Sequence, residues 1–222
     1  MSIYVQDGYG KTNKIEKGLE RNSVSGIIFS PRDESPDGLS SYIADISKKF
    51  SAQILFDPQF YVTTISPVRD GHLPDYDYYH SGLTRASFSP AEIEQYVKEC
   101  IDYQMSLELH RIISPTVIFN DFRDTWSQIS LSLAQQSVRY HDSLTSAPPL
   151  LISLAFSENA LRGEAINEFL DIITMLNVKG FYIIVQRNSS QYQPQIESNI
   201  LENLLYLTYT LSVVNNFETV FG

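Results

Sequence analysis

The chain predicts a parallel α/β protein built from repeated strand–helix units, and three observations lead there. Seven short apolar runs, near residues 3–6, 25–30, 53–57, 116–120, 150–156, 181–185 and 217–221, have the length and the β-branched and aromatic content of strands. A segment of helical pattern lies between each consecutive pair. Most runs also stop abruptly at a polar, often charged, exit. The sharpest is Ala52–Tyr61, AQILFDPQFY, where an apolar run meets a carboxylate, a proline and two aromatics. Regular alternation of this kind implies parallel strands joined by right-handed crossovers.

Two architectures satisfy the alternation. The preferred one is a TIM-barrel-like (β/α) fold, and a complete barrel of that type takes about 250 residues and eight strands. Seven visible strands make it incomplete, and completion requires one more helix and strand beyond Gly222. The alternative is an open doubly wound parallel sheet, although no GxGxxG follows any strand, which removes its dinucleotide-binding version. One domain over residues 1–222 is expected, carrying a long loop insertion at about 62–88.

Taken in order, Ile3–Gln6 reads as a strand ending at Asp7-Gly8-Tyr9-Gly10. Gly10-Lys11-Thr12 matches the end of a phosphate-binding loop, but Val5 stands where its first glycine is required, so no nucleotide cradle is expected. Asn13–Glu20 is a short helix. Val24–Ser30 is a strand broken by Pro31, with Arg32, Asp33, Glu34 and Asp37 at its exit. Gly38–Phe50 is amphipathic, with Leu39, Tyr42, Ile43, Ile46 and Phe50 at spacings of three and four. Ala52–Asp57 is apolar without alternation, as in a strand buried on both faces.

Residues 62–88 are the least regular part. Loops of this length inside a compact domain are functional or disordered, and their tyrosines argue for order because they carry apolar area to bury. Three roles fit this loop: a cap, a docking surface or a substrate lid. Ser89-Pro90-Ala91-Glu92 then carries a helix-start signature, and the helix runs to about His110. Thr116–Asn120 is the next strand, exiting at Asn120-Asp121-Phe122-Arg123-Asp124. Trp126–His141 is helical, Leu150–Phe156 is a strand exiting at Ser157-Glu158-Asn159, and Ala165–Leu176 is helical. Phe181–Val185 exits at Gln186-Arg187-Asn188, Ile196–Asn215 is a long apolar helix, and Phe217–Phe221 opens a last strand.

Composition limits the function classes. At 222 residues and 43% hydrophobic content the chain can bury one sizeable core. The formal net charge is −10 and no more than two basic residues are adjacent, which argues against a nucleic-acid groove formed by this chain alone. No run approaches about 18 apolar residues and no signal-peptide pattern opens the sequence, so neither a membrane partner nor secretion is expected. Cys100 is the single cysteine, on a helical pattern, and reads as a buried, inert thiol. The absence of disulfide chemistry suits the cytoplasm.

In either architecture the carboxyl ends of the strands form the working face. Carboxylates meeting there act as acid and base, or as nucleophile and acid in sugar hydrolysis or transfer. Asp57 and Asp33 are the candidate catalytic residues. Asp57 directly follows the apolar Ile54, Leu55 and Phe56 and precedes Pro58, whose missing N–H removes the ordinary cap geometry. Arg32 and Arg187 are candidate clamps for an anionic group. Tyr61, Asn120, Asp121 and Glu158 complete the candidate substrate-binding set, with Asp121 and Glu158 also readable as helix caps or exposed groups. His72 and His80 lie in the long loop and His110 and His141 at helix ends; no histidine-rich metal motif and no G-x-S-x-G elbow occurs. No motif requires a cofactor, though oxygen ligands at the strand exits suit a divalent cation such as Mg²⁺.

The functional expectation is a hydrolase or group transferase acting on a sugar- or nucleotide-like small substrate. The alternative is a non-catalytic, barrel-like subunit of a larger assembly that docks through the Tyr-rich loop. Expected partners are therefore a small-molecule substrate or another protein chain, an oligomer included.

Overall fold

In the computed structural model residues 3–7, 14–66, 71–163, 165–187, 198–214 and 217–222 are described. The glycine-rich turn at 8–12 lies outside them. Among the described residues seven strands alternate with six α-helices: β1 Tyr4–Gln6, α1 Lys14–Glu20, β2 Gly26–Phe29, α2 Pro36–Lys49, β3 Gln53–Phe56, α3 Pro90–Met105, β4 Ile112–Ile113, α4 Thr125–Asp142, β5 Leu150–Ser157, α5 Ile166–Ile173, β6 Gly180–Gln186, α6 Ser198–Val213 and β7 Glu218–Phe221.

Helix starts follow the local chemistry. Ser89 accepts the Glu92 N–H while the Glu92 carboxylate accepts the Ser89 N–H, with Pro90 inside the first turn. Ser35 caps α2 through the Gly38 N–H. At α4 the cap is Asp124, which accepts from Ser127 at 2.7 Å.

All strand pairs are parallel, and they form two sheets: β1-β2-β3 and β4-β5-β6-β7. The strands of each sheet lie in chain order. At Gly180, paired with Glu218, the neighbouring strand comes so close that a Cβ would stand 1.9 Å from the Glu218 carbonyl oxygen. Among the described residues no ladder joins β3 to β4 or β7 to β1, so the closed hydrogen-bonded barrel is not formed. In this respect the two open parallel sheets agree with the open-sheet alternative.

The break between the sheets has a local cause. The strand expected at 116–120 is shifted upstream to Ile112–Ile113, and the later segment keeps only an isolated bridge from Phe119 to Phe156. Pro115 supplies no donor, and the Ser153 N–H is taken by the Ser114 hydroxyl at 2.9 Å in place of a carbonyl. On its other edge Ile113 meets a side chain: its N–H donates to Gln104 Oε1 at 2.9 Å and its carbonyl accepts from Gln104 Nε2 at 2.7 Å. The buried Gln104 amide thus takes the place of a neighbouring strand. His110 lies five residues beyond the end of α3, not at a helix end, and links to β3. It donates its N–H to the Ile54 carbonyl and accepts the Ile54 N–H on Nδ1 at 3.0 Å.

Two buried clusters divide the protein. The larger takes residues from every helix and from one face of the strands. The smaller holds only strand residues, Ile28, Leu55, Ile113, Leu151, Tyr182 and Val220, with Tyr4 and Ile184 packed against them. The helix-free faces of both sheets therefore pack on one another.

The long loop is folded tightly where it is described. Short 3₁₀ turns at Phe60–Thr64, Leu73–Asp75 and Arg85–Ser87 punctuate it. Tyr76 and Tyr78 are 2% and 0% exposed and pack on Phe56 and Tyr103. Their hydroxyls donate to the carbonyls of Glu34 and Pro58 at 2.7 and 2.9 Å. Of the three roles open to the loop, these two rings fit a cap and not a lid or docking surface: two large rings with apolar area to bury and carbonyls within reach were drawn inward. Cys100 is buried as expected, and burial pushes its thiol pKa up. Among the described residues no helix is long and apolar enough to cross a membrane.

Candidate functional site

The site grows out of the end of β3. Asp57 still belongs to the ladder, donating its N–H to the Phe29 carbonyl at 2.9 Å. Pro58 then ends the strand because it has no N–H to offer. Gln59 adopts a left-handed conformation (φ 50°, ψ 30°), uncommon for a residue with a side chain. That reversal aims the Gln59 N–H at Asp57 Oδ1, 3.0 Å away, and begins the 3₁₀ turn that swings the half-buried Tyr61 over the strand end. The Tyr61 hydroxyl donates to Asp57 Oδ2 at 3.1 Å. Asp57 therefore does make a local turn bond: proline removes only the next amide, and the one after it is free to donate.

A third donor comes from the other sheet. Tyr182, in the middle of β6, reaches Asp57 Oδ2 with its hydroxyl at 3.3 Å. Gly222 lies flat against this phenol, where a Cβ would sit 2.1 Å from the hydroxyl oxygen.

The electrostatics follow from burial. Asp57 is 2% exposed and has no cation among its hydrogen-bond partners, so desolvation raises its pKa to about 6. The Gln59 amide and the two tyrosine hydroxyls oppose the rise by stabilising the ionised form. Both tyrosines are pushed well above their ordinary range, first by burial and then by the adjacent carboxylate. They remain donors at any physiological pH.

Alternation along the strands carries more polar groups to the same face. Leu55 and Asp57 share it, as do Ile28 and Ser30, and Leu151, Ser153 and Ser157. Ser30 and Ser157 are buried, and the Ser157 hydroxyl and Gln59 Oε1 have no hydrogen-bond partner among the described residues. A band of small and polar side chains thus lies at the carboxyl end of the helix-free interior, with the acid in it.

The other candidates are distributed around this end without joining the carboxylate. Arg32 is exposed in the turn after β2 and exerts a favourable field on ionised Tyr61; its carbonyl accepts the His72 N–H at 3.1 Å. Asp33 is half-buried beside it and is not among the hydrogen-bond partners of Asp57. Glu158 and Arg187, at the exits of β5 and β6, are brought together in an ion pair of 2.5 Å. Asp121 is exposed and accepts the Arg123 N–H at 2.7 Å, a turn bond; the cap of α4 is Asp124. Asn120 is exposed and donates its N–H to Asp124. Among the described residues no group of three or more His, Cys, Asp or Glu side chains is placed to hold a metal ion.

Sequence reasoning missed Tyr182, Gln59 and Ser157. Tyr182 and Ser157 could have been found by parity, since each falls on the same alternation as its inward-facing neighbours once the strand is in register. No protein-family model and no curated protein matches this chain.

Proposed function

We propose that the strands curl into a TIM-barrel-like arrangement of one domain, with a carboxylate-dependent hydrolase or group transferase at its carboxyl end. Three observations support the curled form over a doubly wound sheet, which carries helices on both faces. All helices belong to one cluster, the helix-free faces of the two sheets share the other, and Tyr4 of β1 lies within the field of Glu218 of β7.

The observation that carries the functional reading is Asp57 itself: a buried carboxyl at a strand exit, held by donors from both sheets. A pKa near 6 leaves the group mostly ionised at pH 7 yet easily protonated, as a general base that returns its proton requires. Asp57 takes the proton of the attacking water or hydroxyl as its oxygen bonds to the substrate, the bond to the leaving group breaks, and the acid partner protonates that leaving group. Asp33, at the adjacent exit, is the second carboxylate of the pair. Arg32 faces an anionic part of a sugar- or nucleotide-like substrate, while Arg187 is already neutralised by Glu158.

The test is turnover of a panel of aryl glycosides and nucleosides by the purified chain and by Asp57→Asn. A catalytic base predicts loss of at least about 10²-fold with the fold retained. Undiminished activity in the variant, or no turnover across the panel, overturns the assignment.

A further inference from the structure

We propose that the outer face of α6, together with the groove between it and β7, is a self-association surface that receives a second copy of this chain. Ten large hydrophobic side chains are exposed among the described residues, and seven of them lie on α6, immediately after it, or on β7. Leu201, Leu205, Tyr209 and Val213 recur every four residues and form one ridge inclined to the helix axis; Tyr209 is 67% exposed. Along α6 the sole charged residue is Glu202.

Beside the ridge runs a groove of about 600 Å³, walled by Leu205, Tyr206 and Tyr209 on one side and by Thr219 and Phe221 of β7 on the other. It lies on the opposite face of β7 from Val220, away from Asp57, so this surface is independent of the proposed catalytic end.

A second copy is the occupant that the surface itself specifies, because it offers both a ridge and a groove. Two-fold pairing sets the ridge of each copy into the groove of the other, the self-complementary arrangement of an isologous dimer. Rows of side chains four apart interdigitate at about −50°, the commonest crossing of packed helices. The seven side chains leave roughly 700 Å² in water, so a pair would bury about 1,400 Å², within the range of stable interfaces. Charge favours the same place: each copy carries −10, and a face whose single α6 charge is Glu202 lets two copies meet with little repulsion.

Sedimentation velocity of the purified chain from about 1 to 100 μM tests the proposal across the affinity range expected of such an interface. The wild type is expected to dimerise with concentration. Leu205→Asp and Tyr209→Glu, each placing a charge at the centre of the ridge, are expected to weaken the dimer at least tenfold, roughly the loss that follows truncation of an interface anchor. Circular dichroism confirms that these exposed positions accept the change. Met175→Asp, at an 84% exposed position outside the patch, is expected to leave the dimer intact. A wild type that stays monomeric at about 100 μM overturns the proposal. A dimer that survives both ridge variants also overturns it.

Discussion

The Tyr182 hydroxyl donates to Asp57 Oδ2 across 3.3 Å and so joins the four-stranded sheet to the three-stranded one at a buried carboxylate. The ladders stop between β3 and β4, and this bond crosses the interior that the two sheets share. A single carboxyl oxygen accepts from both Tyr182 and Tyr61, which fixes the acid in place and limits how far burial can raise its pKa.

The pH dependence of stability follows from Asp57. Unfolded, its carboxyl titrates near 3.8; folded, near 6. Below the lower value both states are protonated. Between the two, the folded protein holds a proton that the unfolded chain has released, so this contribution to stability falls as pH rises, by about 3 kcal/mol in all. Above about pH 7, where both states are ionised, it is flat. Asparagine imitates the neutral acid, so the stability of Asp57→Asn relative to wild type is expected to increase by most of that amount from pH 4 to pH 7. Urea unfolding at both pH values measures it, and a difference that does not change with pH contradicts the raised pKa.

Tyr182→Phe keeps the ring that packs with Leu55 and Leu151 and removes only the hydroxyl. Losing one of three donors to the ionised form is expected to push the Asp57 pKa further up. At pH 7 the protein is expected to lose about 1.5 kcal/mol, the lower end for hydrogen bonds to charged groups given the length of this one. Carboxyl carbon NMR across pH 4–8 reads the titration directly.

Gln104→Leu tests the junction between the sheets. The amide satisfies both the N–H and the carbonyl of Ile113 in a fully buried setting. Leucine fills similar volume but leaves two backbone groups unpaired, which costs about 2–4 kcal/mol. Denaturant unfolding is expected to show the loss at constant m-value.

Much of this was legible in the chain. Strand–helix alternation needs only local periodicity, and six of the seven strands fall where the apolar runs place them. Asp57 was visible because a carboxylate directly after Ile54, Leu55 and Phe56 is abrupt. The fourth strand was misplaced because TVIFN is a better apolar run than RIISP, and pattern alone cannot show that Gln104, nine residues upstream of Ile113, substitutes for a partner strand. Tyr182 was hidden because an aromatic in a strand reads as core, and its partner is 125 residues away in sequence. The tyrosines of the long loop gave the correct expectation of order but no direction. Whether Tyr76 and Tyr78 turn in or out depends on space beside Phe56 and Tyr103 that only the packed structure defines.

That inward turn supplies the last prediction. The Tyr78 hydroxyl donates to the carbonyl of Pro58, the residue that ends β3 directly after Asp57, and the ring is fully buried against Phe56 and Tyr103. Tyr78→Phe removes the bond but not the ring and is expected to cost about 1 kcal/mol. Tyr78→Ala leaves a cavity as well and is expected to cost about 3–5 kcal/mol, as for other large aromatics in cores. A side chain displayed for a partner would instead leave the stability of the isolated chain nearly unchanged in both variants. Thermal or urea unfolding of the pair separates the two roles, and equal stability of wild type and Tyr78→Ala would return this loop to the surface.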